Sequence, residues 1–136
     1  MKNPNSILIV DDNPDDIFIA KRAVSKCRVD CSVEAISKGH QAVERLTNNP
    51  PPALVLLDLK MPEIGGIEIL RFIRTQEQIR YMPVVMLTSS KMEEDVKASY
   101  DAGANGYLHK AYDVSEFTEQ LKTTLQYWID FNLSPC

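Results

Sequence analysis

Three aspartates stand where two apolar runs end. Ile7-Leu8-Ile9-Val10 leads directly into Asp11 and Asp12, and Ala53-Leu54-Val55-Leu56-Leu57 leads into Asp58. Short unbroken apolar runs are the mark of strands buried on both faces of a parallel sheet. In such sheets ligands bind beyond the carboxyl ends of the strands, near the point where strand order reverses. Two neighbouring strands ending together would bring the three carboxylates into one crevice. There they repel unless a cation lies among them or some are protonated. The chemistry favoured is a hard-cation site, with Mg2+ the natural ion, because two acids, a backbone carbonyl and waters can complete its oxygen octahedron. A carboxylate beside such an ion can act as a nucleophile toward a phosphoryl group. The developing charge then needs a lysine and a hydroxyl donor as well as the metal. Two further strand ends supply them, Thr88 after Pro83-Val84-Val85-Met86-Leu87 and Lys110 after Gly106-Tyr107-Leu108-His109.

The elements that must hold these groups alternate along the chain. Asn13-Pro14-Asp15-Asp16 opens a helix to about Ser25, with Pro and acids suited to a first turn. A weaker strand, Ser32 to Ile36, precedes a helix from about Gly39 to Thr47, which ends before Pro50-Pro51-Pro52. After Asp58 comes a loop, Met61 to Gly66, and then Ile67, Leu70, Ile73 and Arg74 at helical spacing. A helix from about Glu93 to Ala102 is closed by Gly103, and the last helix runs from about Val114 to Asn132. Strands separated by helices imply βαβ units and a parallel sheet. With no linker, repeat or low-complexity tract, residues 1–136 read as one α/β domain. Its extended C-terminal helix and tail run from about 114 to 136.

Composition excludes several classes. A net charge of -4 leaves no basic footprint for nucleic acid. No apolar stretch approaches the ~20 residues of a membrane span. Residues 1–6 run into the first strand without a signal-peptide pattern. Cys27, Cys31 and Cys136 are an odd set without metal-type spacing, which favours free thiols and a cytoplasmic location. His40 and His109 stand apart from any cysteine pair, which argues against zinc. The run from Asp11 fails as a calcium loop, since its sixth position is Asp16 rather than Gly and its twelfth is Arg22 rather than Glu.

Four blocks in order, Ile7-Leu8-Ile9-Val10-Asp11-Asp12, Leu56-Leu57-Asp58-Leu59-Lys60-Met61-Pro62 with Gly66, Leu87-Thr88-Ser89, and Tyr107-Leu108-His109-Lys110, resemble the receiver domains of two-component response regulators. The likeness covers essentially the whole chain. It implies the flavodoxin-like doubly wound sheet of five parallel strands in order 2-1-3-4-5. It further implies that Asp58 accepts a phosphoryl group from a histidine kinase, with Mg2+ held by Asp11, Asp12, Asp58 and the backbone carbonyl of Lys60. Lys110 would pair with the phosphoryl oxygens, Thr88 would hydrogen-bond them, and Tyr107 would change rotamer as Thr88 moves. Ser89 is small, as access to Asp58 requires. Lys60 and Ser90 occupy the positions at which the family varies the lifetime of the phosphoryl group. Ala111 departs from the family's usual proline, and a non-proline cis bond costs about 2.5–4 kcal/mol, leaving the Lys110–Ala111 bond trans or strained.

The final helix carries an apolar stripe. Phe117 to Leu125 is expected to pack on the sheet, whereas Trp128, Ile129, Phe131 and Leu133 run past it as an exposed patch of the kind that marks interfaces. This tail looks like that of the small response regulators of bacterial phytochrome kinases, which implies a homodimer and a phytochrome-type kinase as partner. The expectation is therefore a stand-alone response regulator, not an enzyme, that signals to an unidentified downstream protein by contact. A receiver-like module that binds partners without phosphorylation is the alternative. A dehalogenase-type phosphatase would want an acid where Lys60 stands, and a flavodoxin's phosphate loop would be repelled by Asp11 and Asp12.

Overall fold

The computed structural model describes residues 6–26, 31–48 and 50–133. Five strands pair in parallel, β1 (Ser6–Val10), β2 (Ser32–Ile36), β3 (Leu54–Asp58), β4 (Val84–Thr88) and β5 (Gly106–His109), in the spatial order β2-β1-β3-β4-β5. Between them run α1 (Pro14–Ser25), α2 (Gly39–Asn48), α3 (Gly66–Thr75) and α4 (Glu93–Asp101), and α5 (Val114–Leu125) follows β5. The expected architecture and strand order are those observed. Strand order reverses between β1 and β3, which are direct neighbours with Val10 opposite Leu57.

The apolar runs make this sheet because successive strand residues point to opposite faces, and here both faces are covered. Leu8, Val10, Val55, Leu57, Val84 and Met86 pack with Ala42 and Leu46 of α2 and with Ile69, Leu70 and Ile73 of α3. Ile7, Ile9, Leu54, Leu56, Val85 and Leu87 pack with Ala20, Ala23 and Val24 of α1 and Phe117, Leu121 and Leu125 of α5. β2 is an edge strand, and its mixed sequence of exposed and half-buried residues shows it.

Local chemistry fixes the turns above the carboxyl edge. Asn13 caps α1, its side chain accepting the Asp15 N–H at 2.9 Å. Gly66 opens α3 against the backbone of the strand it has just left. A Cβ there would lie 2.2 Å from the Asp58 carbonyl oxygen, so only glycine permits the approach. Among the described residues no peptide bond is cis, so Lys110–Ala111 is trans.

The C-terminal helix departs from the expected single run to Asn132. Past Leu125 the bonding widens to a π-helix over Gln126–Phe131, and the Asn132 N–H reaches the Tyr127 carbonyl at 2.7 Å. The wider turn sorts the tail's side chains. Trp128 and Ile129 are half-buried against the α1/α5 side of the core, which corrects the expectation that they stand clear of it. Phe131 and Leu133 are exposed as expected, at 64% and 94%, and Tyr127 joins them at 50%. Tyr127 and Trp128 meet edge to face, centroids 4.9 Å apart. Cys27, Cys136 and the first five residues lie outside the described residues. No helix among those described is long and apolar enough to cross a membrane.

Candidate functional site

The ends of β1, β3, β4 and β5 converge. Asp11 follows β1 and is fully buried, Asp58 closes β3 with 6% of its surface exposed, and Thr88 closes β4 at 2%. Lys110 follows β5, and its N–H donates to the Thr88 carbonyl at 2.7 Å, tying the two strand ends together. Asp12 is the exposed member of the group. Asp11, Asp12 and Asp58 each offer a carboxylate oxygen, all within 4.8 Å of one another.

Among the described residues, one cation faces this cluster. The Lys110 ammonium lies 2.9 Å from Asp11 Oδ2, 2.7 Å from Asp16 Oδ2 and 3.8 Å from Asp58 Oδ1. Asp16 is the member that sequence reasoning assigned only to the first turn of α1. Its spacing from Asp11 across a capped turn was the available signal. Asp11 is held by the Asn13 N–H, which donates to Oδ1 at 2.9 Å. Its other oxygen has the Lys110 ion pair but no aligned hydrogen-bond donor.

The acids outnumber their cation, and titration reflects it. Burial pushes the Asp58 carboxyl up to about 7, the Asp11 charge pushes the same way, Lys110 opposes, and Asp12 adds to the rise. Burial also raises Asp11, partly offset by the Asn13 N–H and by Lys110. Burial works against the charge on Lys110, but Asp16 and Asp11 outweigh it and hold its pKa above the usual lysine value. Clustered hard oxygen donors with a buried oxygen lacking a hydrogen bond fit a divalent cation. A second positive charge there would relieve repulsion that Lys110 alone leaves standing.

Thr88 and Tyr107 do not touch the carboxylates through any hydrogen bond seen here; both are tied to Ser90. The Ser90 N–H donates to Thr88 Oγ1 at 3.2 Å, and the Tyr107 hydroxyl donates to the Ser90 carbonyl at 2.9 Å. The Lys60 side chain is exposed, with its ammonium 3.5 Å from Asp95. Trp128, Ile129 and Phe131 lie on the α5 extension, away from this cluster in the sequence and on a separate element.

A doubly wound sheet of this order, with a carboxylate cluster and a lysine at its carboxyl edge, defines a class of signalling module. The chain belongs to the response regulator receiver domain family, whose family model matches residues 7–122. It is similar to the probable methanogenesis regulatory protein FilR2 of Methanothrix harundinacea, 30% identical over 139 residues that span 98% of this chain and 90% of that protein. It is likewise 30% identical to response regulator Rcp1 of Synechocystis sp. over 133 residues, 93% of this chain and 90% of Rcp1. A crystal structure of the Mn2+-bound form of Rcp1 superposes with a TM-score of 0.90 at 29% identity, covering 98% of this chain and all of that one, 100%. The phosphorylated cyanobacterial phytochrome response regulator RcpA matches as well, with a TM-score of 0.90, 30% identity and coverage of 97% and 99%.

Proposed function

We propose that this chain is a response regulator that accepts a phosphoryl group on Asp58 from the phosphohistidine of a sensor histidine kinase, in a Mg2+-dependent reaction. The observation that carries the reading is the excess of buried carboxylate over cation at the ends of β1 and β3, with Lys110 and Thr88 beside it. Asp11, Asp12, Asp58 and the backbone carbonyl of Lys60 would hold Mg2+. When bound, the ion supplies charge neutralisation to the transferring phosphoryl oxygens. An Asp58 carboxylate oxygen then forms the bond to phosphorus as the bond to the donor imidazole nitrogen breaks, and the imidazole keeps that electron pair. Lys110 would turn from the carboxylates toward the new phosphoryl oxygens, and the Thr88 hydroxyl would donate to one of them.

The product carries about -1.5 to -2 of added charge, and the expected consequence is a population shift rather than new chemistry. Thr88 moving toward the phosphoryl group would release Ser90, and with it the Tyr107 hydroxyl. The output is proposed to be contact with a downstream protein, in the cytoplasm, without turnover of an external substrate. The likeness to RcpA supports a phytochrome-type kinase as donor. The exposed Phe131 and Leu133, continuous with half-buried Trp128 and Ile129, support a homodimer through the α5 extension. Trp128→Ala with Phe131→Ala is expected to lower the mass seen by analytical ultracentrifugation; an unchanged mass removes that interface.

Intact mass after incubation with acetyl phosphate and Mg2+, with and without chelator, tests the central reaction. One phosphoryl addition, abolished by chelator and by Asp58→Asn, is expected. If neither acetyl phosphate nor a phosphorylated kinase labels the chain, a partner-binding module that works without phosphorylation takes its place.

A further inference from the structure

Lys60 and Ser90 stand two residues beyond Asp58 and Thr88, on the loops that leave β3 and β4 side by side at the carboxyl edge. A single carboxylate oxygen joins them. Asp95 Oδ2, in the first turn of α4, accepts the Ser90 hydroxyl at 2.5 Å and lies 3.5 Å from the Lys60 ammonium. Ser90 is fixed on its other sides too. Its hydroxyl oxygen accepts the Met92 N–H at 3.2 Å, its own N–H goes to Thr88, and its carbonyl holds Tyr107. Asp95 is in turn anchored within α4, its carbonyl accepting the Ser99 hydroxyl at 2.8 Å. The result is a bridge, Lys60 to Asp95 to Ser90 to Thr88, across the gap between the β3 and β4 loops just beyond Asp58. On its inner side the Asp58 side chain keeps 8% of its accessible surface. On its outer side the Lys60 side chain keeps 68%.

We propose that Asp95 is a positioning residue for phosphoryl exchange at Asp58, holding Lys60 and Ser90 across the entrance so that small donors and water reach the carboxylate slowly. The proposal rests on Asp58 being the phosphoacceptor. Loss of the group by hydrolysis requires a water oxygen to bond phosphorus in line with the breaking bond to Asp58. The Asp58 carboxylate leaves with its electron pair, and inorganic phosphate and a proton are released. Entry of a small donor such as acetyl phosphate uses the same opening in the other direction. A bridge over that opening therefore slows gain and loss together. A residue that merely stabilised α4 would not change both rates in parallel in the folded chain.

The test follows intact mass during phosphorylation by acetyl phosphate with Mg2+, and again after the donor is removed. It compares the wild type with Asp95→Ala, Asp95→Asn, Ser90→Ala and the double variant Asp95→Ala/Ser90→Ala. Asp95→Ala is expected to gain and lose the phosphoryl group about three- to tenfold faster, within the range set by losing one hydrogen bond of ordinary net strength. Asp95→Asn keeps an acceptor for Ser90 and should fall between; it also carries the test should the alanine variant fail to fold. The double variant should be no faster than Asp95→Ala, because both changes open the same bridge. Labelled wild type with unchanged rates in the folded Asp95 variants overturns the positioning role alone, as does additivity in the double variant. A wild type that takes no phosphoryl group overturns this proposal and the phosphoacceptor reading together.

Discussion

Two cations are withdrawn from solvent at opposite edges of the same sheet, and they are satisfied in opposite ways. At the carboxyl edge Lys110 faces Asp11, Asp16 and Asp58, with Asp12 beside them. At the amino edge Arg74, near the end of α3, meets only neutral oxygens. Its Nε donates to the Gly103 carbonyl at 2.9 Å, Nη1 to the carbonyls of Arg80 and Met82 at 3.0 and 2.8 Å, and Nη2 to Asn105 Oδ1 at 2.8 Å. Asn105 passes the connection into β4, its side-chain oxygen also accepting the Val84 N–H. No acid lies within ion-pair distance of Arg74 among the described residues, and burial lowers its pKa. All three nitrogens of the Arg74 fork donate to neutral acceptors, so that site is closed and structural. The Lys110 site is short of positive charge among the described residues, and that deficit is what supports the proposed metal and phosphoryl site.

The comparison can be broken at either end. Lys110→Met should have the largest effect on stability, costing about 3 kcal/mol at pH 8 without added metal, because it leaves buried carboxylates uncompensated. Chemical denaturation at pH 8 and pH 5 checks it, and the loss should shrink at pH 5, where Asp58 takes up a proton. Arg74→Lys should cost about 2 kcal/mol, since an ammonium cannot serve four acceptors spread around a planar fork. Its loss should be equal at both pH values and should leave phosphorylation intact, which is what separates a structural cation from a functional one. Asp58→Asn should act with the opposite sign. The Asp58 carboxyl binds its proton more tightly folded than unfolded. The stability it contributes is therefore present below the ordinary carboxylate value of 3.8 and is lost as pH rises from there through about 7. Removing the charge should then stabilise the metal-free protein by on the order of a few kcal/mol at pH 8, with a smaller gain at pH 5 and a smaller gain with Mg2+ present.

These two regions also differ in how far they could be read from sequence. Asp11, Asp12, Asp58, Thr88 and Lys110 each follow or close an apolar run, so the rule that parallel strands end together was enough to gather them. The same runs, buried on both faces, made β1, β3 and β4 plain, and Asn13-Pro14 marked the start of α1. Arg74 was visible only as a helical residue, because its partners are backbone carbonyls on loops whose paths no side chain announces. Asp16 and Asp95 were hidden for a related reason. Both sit in first turns of helices, where an acid is ordinary, and only the folded geometry shows which way each carboxylate reaches. The widening of α5 into a π-helix at Gln126 left no mark in the periodicity of Phe117, Leu121 and Leu125. The exposure of Phe131 followed from the sequence, whereas the partial burial of Trp128 and Ile129 did not.

The deficit of positive charge at the carboxyl edge is tested most directly by following the Asp58 side-chain carboxyl carbon by NMR as pH is raised, first without divalent metal and then with saturating Mg2+. The midpoint should lie near 7 in the metal-free protein and move well below that when Mg2+ is present. A midpoint in the ordinary carboxylate range, unmoved by Mg2+, would contradict the account.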